Sequence, residues 1–213
     1  MNQSAVISHL PPKQTSDKLF KGKNKQMINT IKKISSAVLL IGLSVFLSGC
    51  GGSSAAVQSL KPYDGGIFTI NVDPGWKIIN QSDFYAEIPK ETLVAFTAPE
   101  AYNGFFTNVN IVREDLKQNI SSVDYGRANI NLSAQNLTDY QKQQEAQIDV
   151  GGTPALLHIF QARLSPTEKL IKFAQLYVTK GNYGYIVSGG MLPDTPQAVR
   201  DSVGAMVTSF SLK

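Results

Sequence analysis

The chain has 213 residues, is 42% hydrophobic and 17% charged, and carries a formal net charge of +4. The charge is unevenly placed: residues 1–49 hold seven lysines and one aspartate, whereas residues 50–213 hold 13 Lys and Arg against 15 Asp and Glu, a net of −2. The 164 residues after position 49 are enough to bury the core of one domain, and their acidic balance excludes a broad basic surface for nucleic acid.

The first segment reads as an address. Lys32-Lys33 precedes an 11-residue apolar run, Ala37 to Leu47. That is too short to cross a bilayer as a helix, which takes about 20 residues. The run ends in Leu47-Ser48-Gly49-Cys50, which resembles a bacterial lipobox. A basic region, a short apolar core and small residues at the cut describe a cleaved signal peptide over residues 1–49. A start at Met27 gives a leader of 23 residues, within the usual range of about 15–30. Residues 1–26, polar and broken by Pro11-Pro12, are then an upstream misreading of the start or a disordered extension.

Cys50 is the single cysteine, so it has no internal disulfide partner, and its thiol suits thioether attachment of a diacylglycerol. Lipidation, with an acyl chain such as palmitate, would tether the mature protein to a membrane and remove Cys50 from catalysis. By resemblance to Gram-negative sorting rules, Gly51 after the modified residue implies outer-membrane delivery where such a membrane exists. Residues 50–63, opening on Gly51-Gly52-Ser53-Ser54-Ala55-Ala56, are expected to be a flexible linker, with one domain over 64–213.

Along the domain, Phe68, Ile70 and Val72 alternate with Thr69, Asn71 and Asp73, which predicts a half-buried strand over 67–73 ending in the turn Asp73-Pro74-Gly75. Further strands are expected over 76–79, 84–88, 93–97 and 107–113, with Pro89 and Pro99 in the connections. Residues 121–137 lose the alternation; Val123, Ile130, Ala134 and Leu137 share a helical face, and Ser121 or Ser122 is the expected N-cap. Residues 139–150 are strand or connector, Gly151-Gly152 a turn, and 153–164, 170–179 and 183–189 strands, the first two joined by the hairpin signal Ser165-Pro166-Thr167-Glu168. A last helix is expected after an Asp194 or Thr195 cap, with Pro196 at its first position and Val199, Val203, Met206 and Val207 as its apolar stripe. The order predicts an α+β fold with a mostly antiparallel central sheet and helices on its faces.

Four stretches carry a resemblance to the PsbP-like and DcrB-like group of small extracytoplasmic domains. They are Phe68 to Trp76, Val109-Asn110-Ile111-Val112 before the helix, Ile148 to Ala155, and the terminal helix ending Thr208-Ser209-Phe210. The resemblance spans nearly all of 64–213 and implies an α/β/α sandwich and a non-enzymatic role. Plant and cyanobacterial relatives are extrinsic photosystem II subunits and many bacterial members are envelope lipoproteins; no functional residue set carries over. Trp76 and Phe210 read as core anchors and Gly151-Gly152 as a turn needing positive φ.

Chemistry is sparse. His158, the one histidine after the leader, sits between Leu157 and Ile159 and reads as a hydrogen-bonded sheet residue. Glu87, Glu91, Glu114 and Asp115 read as solvated charges rather than a calcium site, which needs six to eight oxygens at defined spacing. No zinc, nucleotide or nucleophile-elbow motif occurs, so no catalytic residue, metal or cofactor is expected. The candidate interaction surface is aromatic, Tyr102, Phe105 and Phe106 around Asn103-Gly104; the other and preferred reading of this loop folds it back and buries Phe105 and Phe106 in the core. Tyr177, Tyr183 and Tyr185 fall in strands. The expected function is a lipid-anchored, non-enzymatic interaction or assembly factor of the cell envelope, with an envelope protein as partner; the alternative is a carrier or sensor of a small apolar ligand held between sheet and helix.

Overall fold

A computed structural model describes residues 59–84 and 88–213. The leader, the lipobox with Cys50, most of the expected linker and positions 85–87 lie outside the described residues. In chain order the elements are β1 (Lys61–Asp64), β2 (Phe68–Val72), β3 (Lys77–Asn80), β4 (Thr92–Thr97), β5 (Asn108–Asp115), α1 (Ser122–Asn136), β6 (Thr138–Val150), β7 (Thr153–Arg163), β8 (Ile171–Lys180), β9 (Tyr183–Met191), α2 (Gln197–Thr208) and β10 (Ser211–Leu212). Seven strands form an antiparallel sheet in the order β3-β4-β5-β9-β8-β7-β6, and β1-β2-β10 form a small second sheet.

The large sheet is pinned by turns whose residues suit them. Gly151 and Gly152 both have positive φ (60° and 80°), the type I′ pattern that joins β6 to β7 without splaying them. Gly181, at φ 58°, opens the β8–β9 turn. With register fixed, alternate residues face opposite sides. Val112, Ile186, Tyr177 and Leu156 align across β5, β9, β8 and β7 and pack with Tyr125 and Ile130 of α1. Their neighbours Ile111, Val187, Leu176 and Leu157 face the other way and join a larger core with Val203, Met206 and Val207 of α2 and with Phe68, Ile70 and Phe210. So α1 covers one face, and α2 with the small sheet covers the other: the α+β arrangement expected from the sequence.

Trp76 and Phe210 are core residues at 8% and 1% exposure, Phe210 lying 5.5 Å from the Phe68 ring. Ser121 caps α1, its hydroxyl accepting from the Asp124 amide at 3.1 Å. Residues 139–150 resolve as strand within β6.

Three boundaries differ from expectation. The strand expected at 84–88 is not one at its described ends: a short 3-10 turn, Gln81–Asp83, follows Asn80, and the Thr92 amide closes a turn onto the Pro89 carbonyl. A strand already forms at Lys61, inside the segment read as linker, because Tyr63 drops its ring edge-on against Phe96 at 5.2 Å and its hydroxyl donates to Asn80. Finally, α2 starts at Gln197 with Pro196 as its N-cap, one residue later than expected; Thr195 is turned inward at 1% exposure and does not cap it.

Candidate functional site

The face beneath α1 should be apolar, and two of its cross-strand rows are largely so. Between Val112–Ile186–Tyr177–Leu156 and the row ending in Phe173 and Phe160 lies a polar one: Asn110, Ser188, Gln175, His158 and Glu145, in register across β5, β9, β8, β7 and β6. Gln175 is satisfied in the middle, donating to Ser188 Oγ at 2.5 Å and accepting from the Tyr177 hydroxyl at 3.0 Å. His158 is fully buried, its Nε2 lies 2.9 Å from the Tyr140 hydroxyl, and its ring stacks on Phe160 at 5.0 Å. Burial, assisted by nearby Lys142, lowers its pKa to about 3, so the imidazole is neutral at physiological pH. Burial likewise pushes the Tyr140 hydroxyl up to about 12.

The row is not fully paired. Asn110 Oδ1, His158 Nδ1 and, on the buried side of α1, Asn129 Oδ1 are buried without a hydrogen-bond partner. Asn129 spends its amide nitrogen on the Tyr125 carbonyl at 3.0 Å, which identifies the unpartnered atom as the acceptor oxygen. Each unsatisfied buried group costs about 1–3 kcal/mol. The two ends of the row differ. At β6, Glu145 is tied to Lys142 at 3.2 Å and to Arg127 of α1 at 3.8 Å. At β9 and β5, Ser188 and Asn110 are only half-buried.

Glycines on β9 show where α1 presses on the sheet. A Cβ on Gly184 would sit 2.5 Å from the Tyr125 ring; on Gly190, two residues past Ser188, it would meet nothing closer than 3.7 Å. Tyr125 fills the Gly184 hollow, and its hydroxyl donates to Glu114 Oε2 at 2.6 Å. Glu114 is thus not a solvated strand-end charge: it is 8% exposed, and burial, opposed by the Tyr125 bond and helped by Glu91, raises its pKa to about 7. Asp115 beside it is exposed, Glu91 is half-buried and Glu87 lies outside the described residues. Among the described residues, no group of three His, Cys, Asp or Glu is placed to hold a metal ion.

Of the two readings of the aromatic loop, exposed surface or fold-back into the core, Phe105 follows the second. Asn103 (φ 49°) and Gly104 (φ 70°) form a tight turn closed by two 2.9 Å backbone bonds between Tyr102 and Phe105. The turn is docked, with the Asn103 amide donating to Asp194 at 3.1 Å and the Lys169 ammonium to the Asn103 carbonyl. This docking sends Phe105 into the core at 3% exposure and lays Tyr102 against it, while Phe106 is half-buried. No contiguous aromatic patch is left there.

No protein-family model matches the sequence, nor does any curated protein. Solved structures do. The solution structure of cyanobacterial PsbP (CyanoP) from Synechocystis is 14% identical, with a TM-score of 0.50 over 78% of this chain and 99% of that one. LpqN of Mycobacterium tuberculosis, described as involved in cell envelope biogenesis, is 14% identical, with a TM-score of 0.52 over 68% of this chain and 83% of that one.

The fold is PsbP-like. At this identity the likeness is one of architecture, so the functional features must be read from this chain's own residues. Within its PsbP-like sheet, sequence reasoning singled out His158 but missed the row around it. Ser188 and Gln175 each occupy a position in a largely apolar strand, which is a visible signal, whereas Asn110 lies in a strand that also carries Asn108, Arg113, Glu114 and Asp115; their meeting in one line depends on inter-strand register, which no single strand encodes.

Proposed function

We propose that this chain is a membrane-tethered lipoprotein of the cell envelope, anchored through a lipidated Cys50, whose PsbP-like domain acts without catalysis as an interaction or assembly factor. The observation that carries the reading is Leu47-Ser48-Gly49-Cys50 at the end of a short apolar run behind Lys32-Lys33. Ten residues separate Cys50 from β1, which sets a short leash between lipid and domain. The envelope setting is supported by the shared fold of LpqN. The non-enzymatic role is supported by His158: the one histidine after the leader is buried, neutral and engaged with Tyr140, a poor position for a general base.

Replacing Cys50 with Ala is the test. The domain should keep its fold and leave the membrane fraction; continued membrane retention would overturn the anchor. Crosslinking in intact cells should then recover an envelope protein with the wild-type chain. The carrier of a small apolar ligand between sheet and helix is the weaker reading, because the apolar part of the α1–sheet interface is filled by Tyr125, Ile130, Leu156 and Tyr177, each at most 7% exposed.

A further inference from the structure

The geometry points to residues 144–150, the second half of β6, as a docking edge for an extended segment of another protein, one that alternates cationic and apolar side chains. This gives the interaction-factor reading a surface and rests on that reading for its purpose, while its geometry is independent of the anchor at Cys50.

β6 ends the seven-stranded sheet, so among the described residues one side of its backbone faces no strand. At 13 residues it is the longest of the described strands, whereas β3 at the opposite edge has four. Natural edges are blunted by short length, bulges, lysines or proline. β6 is blunted only in its first half, where its register on β7 slips twice and Lys142 is exposed. From Gln144 to Val150 the register is unbroken, and that stretch holds no lysine and no proline.

The turn fixes which backbone groups look outward. A two-residue hairpin loop, Gly151-Gly152, makes its flanking residues Val150 and Thr153 a hydrogen-bonded pair. Pairs then alternate. Val150, Ile148 and Ala146 spend their N–H and C=O groups on β7, and Asp149, Gln147 and Glu145 point theirs away from it. Pro154 agrees: it stands opposite Asp149 and has no N–H, as suits a pair whose members do not bond each other. An added strand thus finds the N–H and C=O groups of three residues, spread over about 14 Å of edge.

The side chains choose the segment. Glu145, Gln147 and Asp149 share the α1 face of β6, with Ala146 and Ile148 on the other face. Asp149 is exposed, and its Oδ1 accepts from the Gly152 amide at 2.8 Å. The ion pairs of Glu145 run to exposed Lys142 and Arg127, and such surface pairs rearrange at little cost. Ala146 and Ile148 are only half-buried, α2 packing on β8 and β9 rather than on β6. A fitting strand sets cations opposite Asp149 and Glu145, a neutral residue opposite Gln147, and apolar residues opposite Ile148 and Ala146. A second copy of this chain fits badly. Engaging all three outward residues about a two-fold axis sets Gln147 against itself and each Glu145 against an Asp149, which is like charge on like.

The probe is a blocked nonapeptide with Lys-Val-Thr-Val-Lys at its centre, and the readout is residue-resolved amide exchange of the full chain. Without peptide, the amides of Ala146, Ile148 and Val150 should be protected and those of Glu145, Gln147 and Asp149 should exchange freely. With it, these last three should become protected too. Replacing both peptide lysines with glutamate should weaken binding at least about tenfold. Gln147→Pro removes an outward amide that bonds nothing in the fold, so the domain should keep its stability and lose the peptide. Four results would each overturn the assignment: outward amides already protected in the free chain, no added protection at millimolar peptide, equal binding of the glutamate peptide, or protection that rises with protein concentration alone, which would make a second copy the occupant. None of them bears on Cys50, which membrane fractionation tests separately.

Discussion

The Tyr125 hydroxyl donates to Glu114 at 2.6 Å from a ring seated over Gly184, so one contact joins α1, the end of β5 and a side-chain-free position on β9. Burial of the carboxyl at 8% exposure favours the protonated acid and outweighs the Tyr125 bond, which favours the carboxylate; Glu91 adds a like charge.

Stability should therefore fall as pH rises across this group. Its folded pKa, about 7, lies above the ordinary 4.5, so its contribution is complete below 4.5 and is lost as pH climbs through 7. Glu114→Gln keeps an acceptor for Tyr125 and cannot ionise. The variant should exceed the parent in urea unfolding at pH 8 by up to about 3 kcal/mol, one pKa unit being about 1.4 kcal/mol, and match it near pH 4. A difference that stays constant with pH would refute this.

Gly184 and Gly190 make a matched pair on one strand. Gly184→Ala drives a methyl to 2.5 Å from a fully buried ring that cannot move without lifting α1, and should cost about 1–3 kcal/mol. Gly190→Ala meets only ordinary contacts at 3.7 Å and should stay within about 0.5 kcal/mol of the parent. Equal denaturation midpoints for the two variants would contradict the close approach of Tyr125.

Much of the architecture was legible because it is periodic. Phe68-Ile70-Val72 alternate, Val203-Met206-Val207 recur at helical spacing, and Gly151-Gly152 marks a hairpin; each is a local signal, and each element forms within a residue of where it is expected. What was illegible depends on partners far away in sequence. Glu114 reads as a surface charge until α1 brings Tyr125 over it, and Phe105 stays undecided between loop surface and core until Lys169 and Asp194 dock its turn. Tyr63 drew a strand out of the expected linker for the same reason, through Phe96 and Asn80. Tertiary contacts override local polarity at just these positions.

The docked turn gives its own prediction. Phe105→Ala empties a core position and should cost about 3–5 kcal/mol, whereas Phe106→Ala, half-buried, should cost about 1 kcal/mol or less. Chemical denaturation separates the two. If both substitutions prove mild, Phe105 is on the surface and the loop forms the exposed aromatic patch instead.

His158 should tilt stability the other way from Glu114. Its folded pKa, about 3, lies below the ordinary 6.5, because burial and Lys142 oppose the cation. The unfolded chain takes up a proton below 6.5 that the folded one refuses, so this contribution is complete above 6.5 and is lost as pH falls toward 3. The imidazole 15N shifts should report a neutral ring at about pH 5, well below where a free histidine titrates. His158→Phe preserves the stack on Phe160 and should flatten the acid limb of the stability curve while leaving the alkaline limb set by Glu114 in place. A ring that titrates near 6.5 would mean that α1 opens often enough to hydrate the row, and would place His158 within reach of solvent.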